Sequence, residues 1–154
     1  MKAISLLFSI LFITTACAQE FEIIEATTQK WAGGRMETGH GVYYNIVLIA
    51  KKKSQKLSFD KFWVDSIFFS IKAYKHSGNK NIEKFSSGDT LYINVRSRFN
   101  SIKNDENTYI IKKSVKEMPP FELKGTALLG YTYKGKRKYK NIEVFKELKP
   151  VYYP

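Results

Sequence analysis

The chain has 154 residues, a length that suits one domain, and carries 26 lysines and arginines against 14 acidic side chains, a formal net charge of +12. Its one cysteine excludes an intrachain disulfide, so packing must hold the fold together. Beyond the N-terminus no stretch approaches the roughly 20 apolar residues that a membrane-spanning helix needs. Lysine supplies 22 of the basic residues and arginine only 4, which favours a hydrated, diffuse positive surface over a phosphate-reading site built from planar forks. Aromatic residues are 15% of the chain, enough for a core dense in rings.

Residues 1–18 read as a targeting segment. Lys2 gives a short positive start, Ala3 to Ile13 is an apolar run broken only by Ser5 and Ser9, and Thr14 to Ala18 is small and more polar. That is the pattern of a secretory signal peptide. Two processing routes compete for "FITTACAQEF". Ala16-Cys17-Ala18 supplies the A-x-A of general signal cleavage, which would leave Gln19 first. The lipoprotein route would end the signal at residue 16 and lipidate Cys17, but Thr14 stands where it prefers an aliphatic residue. The A-x-A match favours cleavage after Ala18. We expect an exported protein, periplasmic or secreted, or a membrane-anchored lipoprotein if Cys17 carries lipid, with a single domain over 19–154.

The dominant signal after that is period two, the mark of half-buried strands. "FEIIEATT" opens the domain as a strand. "VYYNIVLIA" carries Val42, Tyr44, Ile46, Leu48 and Ala50 on one face and Tyr43, Asn45, Val47 and Ile49 on the other, so it is expected at a central position. "KLSFDKFWVD" has Leu57 and Phe59 in one parity and Phe62 and Val64 in the other, which a bulge near Asp60 would reconcile. "IFFSIKAY" aligns Ile67, Phe69, Ile71 and Ala73, and "TLYINVRSRF" aligns Leu91, Ile93, Val95 and Phe99. Tyr109 to Lys113 reads as a short strand, or as part of a short helix capped by Asn104 or Asp105, a choice its two isoleucines weigh against. "ELKGTALLGYTY" and "YKGKRKYKNIEVF" form a hairpin with Gly135 in the turn, Gly125 and Gly130 at bends or close approaches, and a bulge between Tyr139 and Ile142. Gly33, Gly34, Gly39 and Gly41 fall in one loop, and "HSGNKNIEKFSSGD" and "NSIKNDENT" are further loops. Seven or eight short strands so joined predict an all-β domain, a single antiparallel β-sandwich of immunoglobulin-like architecture, with a small β-barrel as the alternative.

Chemistry has few places to sit. The loop "WAGGRMETGHGVYY" gathers Trp31, Arg35, Glu37 and His40 as a candidate site. Its glycines lead into a strand rather than a helix, so they match neither phosphate-binding fingerprint, and a hairpin loop with positive φ is the plainer reading. His40 and His76 lie in different loops without metal-ligand spacing, and Asp60 and Asp65 stand five apart, on opposite faces of a regular strand. No metal, cofactor or catalytic residue is assigned. "YTYKGKRKYKN" is the strongest charge feature: Lys134, Lys136, Arg137, Lys138 and Lys140 surround a turn among Tyr131, Tyr133 and Tyr139. Cations interleaved with rings suit nucleic acid, but an export signal points instead to anionic lipid headgroups, lipopolysaccharide or acidic glycans. The same lysines would also keep an edge strand from pairing with other chains.

The export signal, "KWAGGRMETGHGVYYNIVL", "SSGDTLYINV" and the terminal "LLGYTYKGKRKYKNIEVFKELKPVYYP" together resemble small exported β-sandwich proteins of unknown function from Gram-negative bacterial envelopes. The resemblance covers most of the domain and implies export, one domain and an all-β fold, with no catalytic residue. The expectation is therefore a non-enzymatic envelope or secreted binding module. It would contact an anionic envelope polymer at the basic hairpin, or a partner protein by strand addition, with no nucleic acid partner in vivo and no transmembrane span. Two alternatives are a small hydrolase or sugar-active enzyme using the His40 loop with Glu37 or Asp60, and an inhibitor or immunity-type protein that inserts the 76–89 loop into a partner.

Overall fold

In a computed structural model, the described residues are 19–34, 39–64, 67–99, 101–103, 109–111 and 118–154. Cys17 and the rest of the expected signal segment, with Arg35, Glu37 and Asp65, lie outside them. Twelve strands and no helix occur among the described residues. They are β1 (Phe21–Gly33), β2 (His40–Ala50), β3 (Leu57–Val64), β4 (Ile67–Ser70), β5 (Lys75–Ser77), β6 (Lys80–Ile82), β7 (Thr90–Arg96), β8 (Ser101–Lys103), β9 (Tyr109–Ile111), β10 (Ala127–Tyr133), β11 (Lys136–Ile142) and β12 (Lys146–Tyr153). Two four-stranded sheets dominate, ordered β12-β1-β2-β7 and β11-β10-β3-β4, with small β5-β6 and β8-β9 pairs beside them. Neither large sheet closes on itself, which sets aside the small barrel. The all-β prediction holds, with one departure from all-antiparallel pairing, since β12 runs parallel to β1.

Period two builds the core. Tyr44, Ile46 and Leu48 of β2 and Leu91, Ile93 and Val95 of β7 form one buried cluster with Phe59, Phe62 and Val64 of β3 and Ala127, Leu129 and Tyr131 of β10. Burying each large side chain contributes roughly 1.5–3 kcal/mol, so this seam between the sheets is the main source of stability. β2 is central, between β1 and β7, as its two apolar faces predict. The predicted bulge at Asp60 is present. Phe59 pairs with Tyr131 and Lys61 with Gly130, leaving Asp60 between them and letting Phe59 and Phe62 both reach the core.

Other expectations need correction. No bulge interrupts β11, whose register with β10 is unbroken from Lys136 to Ile142. The parity slip arises because Tyr139 points away from the core, where its ring lies 6.0 Å from Trp63 and 5.3 Å from Phe121. Gly33 and Gly41 are strand residues, and of the four loop glycines Gly39 takes positive φ, at 75°. The 76–89 stretch is not all loop: β5 and β6 form a hairpin within it, and Tyr74 just before it bridges Tyr92 of β7. β4 ends at Ser70, although Ile71 and Ala73 still enter the core. Residues 109–111 are a strand paired with β8, which favours the strand reading over the helix and places a strand where a loop was expected. β12 was not anticipated. Pro150 disguises it, and Pro150 falls where the β1–β12 register shifts, on a sheet edge that tolerates a missing donor.

Candidate binding surfaces

Trp31 pairs with Gly41 and His40 with Ala32, so the two side chains project to opposite faces of the same sheet. Trp31 is only 2% exposed. Its Nε1 donates to the Ser97 carbonyl at 3.2 Å, and Gly41 supplies the space that the indole needs. The His40 ring stands 5.7 Å from Phe99, and its backbone exchanges hydrogen bonds with Phe99 at 3.2 and 2.7 Å. A cavity of about 350 Å³ at this end of the sheet is bordered by both Trp31 and His40, with Ala32, Val42, Phe99 and Tyr152 completing a largely apolar lining. Among the described residues no carboxylate hydrogen-bonds His40. His76 packs 4.5 Å from Tyr92, which pairs with Val47, so it lies roughly 23 Å along the sheet from His40. The two histidines cannot share an ion, and no group of three metal-ligating side chains occurs among the described residues.

The basic hairpin is real but divided. Lys134 and Gly135 form its turn with φ of 48° and 75°, the double left-handed geometry that matches strand twist, and glycine holds the second position without strain. The Lys134 N–H donates to the Lys56 carbonyl at 2.8 Å, which ties the turn down. Along β11 the cations alternate. Lys136, Lys138 and Lys140 share one face and Arg137 the other. Arg137 grips Asp60 with both arms, one at 2.6 Å, and Lys138 pairs with Glu20. The Asp60 bulge is thus what presents a carboxylate to Arg137. Lys134, Lys136 and Lys140 have no acidic partner among the described residues, and the Lys134 ammonium lies 5.4 Å from the Tyr133 ring. Two of the five predicted anion contacts are already committed to carboxylates.

Glu20 belongs to the domain's first described residues and fastens them to β11. Burial pushes its carboxyl up, but hydrogen bonds from Lys138, from its own backbone N–H and from the Tyr131 hydroxyl outweigh that, and it stays below the usual carboxylate range. A lowered folded-state pKa stabilises above the unfolded value, and the gain disappears as pH falls through the folded value. Glu20→Gln is therefore expected to lower the unfolding free energy more at pH 7 than at pH 3, where part of the gain has already been lost. Urea titrations at the two pH values check this, and an equal loss at both would show that the ion pair is not the source. Asp89 shares the pattern: the Lys75 ammonium at 2.7 Å and the Ser86 N–H at 2.7 Å hold its carboxyl low and fix the turn before β7.

The face of β2 and β7 that points away from the core carries a second arrangement, which sequence reasoning missed. Arg96 lays its guanidinium 4.1 Å above the Trp31 ring and 5.4 Å from the Tyr43 ring. The Tyr43 hydroxyl meets the Tyr153 hydroxyl at 3.2 Å, a contact that, with partial burial, holds the Tyr43 phenol above its usual range despite Arg96. Asn45 pairs with Asn94 in the next row. The Asn94 amide donates to the Tyr74 hydroxyl, and Tyr74 and His76 pack about Tyr92 at 6.2 and 4.5 Å. The period-two pattern does put Tyr43, Asn45, Tyr92, Asn94 and Arg96 on outward faces. What it could not show was the register that places Tyr43 directly opposite Arg96. No helix among the described residues is long and apolar enough to cross a membrane. In comparisons with known proteins, no family model matches the chain, and no curated protein or solved structure is significantly similar to it.

Proposed function

We propose that this chain is an exported, non-enzymatic binding module, an immunoglobulin-like β-sandwich that holds an anionic envelope polymer against the β10–β11 hairpin. The carrying observation is that Lys134, Lys136 and Lys140 project around a tied-down turn without acidic partners among the described residues, while Arg137 and Lys138 are paired with Asp60 and Glu20. A formal charge of +12 adds long-range attraction for such polymers. The A-x-A segment at residues 16–18 supports export, and two open sheets sharing one core support the sandwich.

The reading predicts salt-sensitive retention that depends on three particular lysines. Replacing Lys134, Lys136 and Lys140 together by glutamine should reduce retention on lipopolysaccharide-coated beads several-fold at low salt, and the difference should shrink as salt screens the remaining contacts. Arg137→Gln should weaken retention less, since its guanidinium is engaged with Asp60. Retention that ignores both salt and the triple substitution would sink the proposal.

A further inference from the structure

Apart from the hairpin, the outward face of β2 and β7 combines a cation, rings and hydrogen-bonding groups. We infer that this face binds an acidic saccharide, Arg96 taking a carboxylate and the groove beside Asn94 taking sugar hydroxyls. The inference uses no residue of the β10–β11 hairpin, so it stands or fails separately from the function proposed above.

Arg96 is the first reason. It is exposed, has no carboxylate partner among the described residues, and sits over the Trp31 ring beside Tyr43. A guanidinium held over a ring loses less freedom on binding, and its N–H donors suit a bidentate carboxylate. Trp31 holds that fork in place from beneath and is too buried to stack on a sugar itself.

The second reason is the groove. About 7 Å from Arg96, on the same face of β7, Asn94 opens into a polar groove of about 490 Å³. Tyr74, Asn81, Lys72 and Glu83 share its lining, and Lys72 and Glu83 pair at 2.8 Å, so the groove is polar without a large net charge. Amides and hydroxyls at short reach are the partners that sugar hydroxyls need, and Tyr74 and Tyr92 offer half-exposed rings for the C–H faces. A protein partner would want an apolar centre. Among the described residues, the exposed large hydrophobics on strands of this sheet are Ile24, Tyr152 and Tyr153; Tyr152 pairs with Ala32 and so sits on the His40 side, and Tyr153 turns its hydroxyl to Tyr43, which leaves no apolar centre on the Arg96–Asn94 row.

Nitrogen-15 chemical shifts provide the test, because Arg96 sits over the Trp31 ring, whose indole N–H reports on it. Tri-galacturonic acid should shift the Trp31 indole signal and the backbone signals of Tyr43, Asn45, Asn94 and Arg96. Its methyl ester, with the same sugar and no charge, should bind about tenfold more weakly or worse. Arg96→Gln should weaken the acid by a similar factor while leaving the unliganded spectrum outside this face unchanged. The triple glutamine variant of the hairpin should bind the trimer as the wild type does. Absent or hairpin-confined shifts would overturn the inference, as would equal binding of the methyl ester. Equal shifts with hexaglutamate would also overturn it, by assigning the face to acidic protein segments instead.

Discussion

Gly41→Ala should lower the unfolding free energy by about 3 kcal/mol, the upper range for overpacking, and the melting temperature by roughly 6–12 °C. A β-carbon at Gly41 would lie 2.1 Å from the Ser97 carbonyl oxygen and 2.8 Å from Trp31 Nε1. Neither neighbour can retreat cheaply. The Ser97 N–H donates to the Val42 carbonyl at 2.9 Å, and its hydroxyl accepts from the Val42 N–H at 2.9 Å while donating to the Val42 carbonyl at 3.2 Å. These three bonds carry the β2–β7 pairing one residue past the end of β7. The indole is held by its own bond to the same carbonyl and by Arg96 above it. Gly78→Ala is the control: that site has open space but a φ of +57°, so it should cost only about 1 kcal/mol through backbone strain. Thermal unfolding of both variants decides the matter. If the Gly41 substitution costs no more than the Gly78 one, the packing of Ser97 against Trp31 is not as tight as the geometry requires.

The legible parts of this chain were those governed by local alternation. Leu91, Ile93 and Val95 in one parity, or Tyr44, Ile46 and Leu48, declare a buried face whatever the partner strand. Even the Asp60 bulge could be read, because Phe59 and Phe62 make sense together only if one residue drops out of register. The illegible parts depend on pairings far apart in sequence. β12 has too little alternation to announce itself and becomes a strand because β1 offers it an edge. The parity change between Tyr139 and Ile142 mimics a second bulge, because Trp63 and Phe121 give the Tyr139 ring a home on the face away from the core. The candidate surfaces divide the same way. The lysines of β11 are visible in any reading of the sequence, but that Asp60 and Glu20 take Arg137 and Lys138 is a fact of tertiary placement. Arg96 and Trp31 are separated by 65 positions, and only the β1–β2–β7 register brings the guanidinium over the indole.

Trp31→Ala should be the most damaging substitution on the outward face, costing about 4 kcal/mol, within the range for removing a buried aromatic ring. It deletes a side chain that is 2% exposed, leaves a void beside Gly41, and frees the Ser97 carbonyl of its indole donor. Trp31→Phe should cost less, about 2 kcal/mol, because a ring still fills most of the space while the hydrogen bond is lost. The pair separates packing from the polar contact but does not reach Arg96. A double-mutant cycle does. Arg96→Ala in the wild type removes the guanidinium from the indole, and in the Trp31→Ala background it removes a guanidinium with no indole beneath it. The difference between these two costs is the coupling energy, expected at about 1 kcal/mol for a cation over a tryptophan at a partly exposed site. Chemical denaturation of the four proteins measures it. A coupling near zero would mean that Arg96 samples solvent rather than resting on Trp31. It would remove the preorganised fork on which acidic-saccharide binding depends, whether or not the fold tolerates the changes.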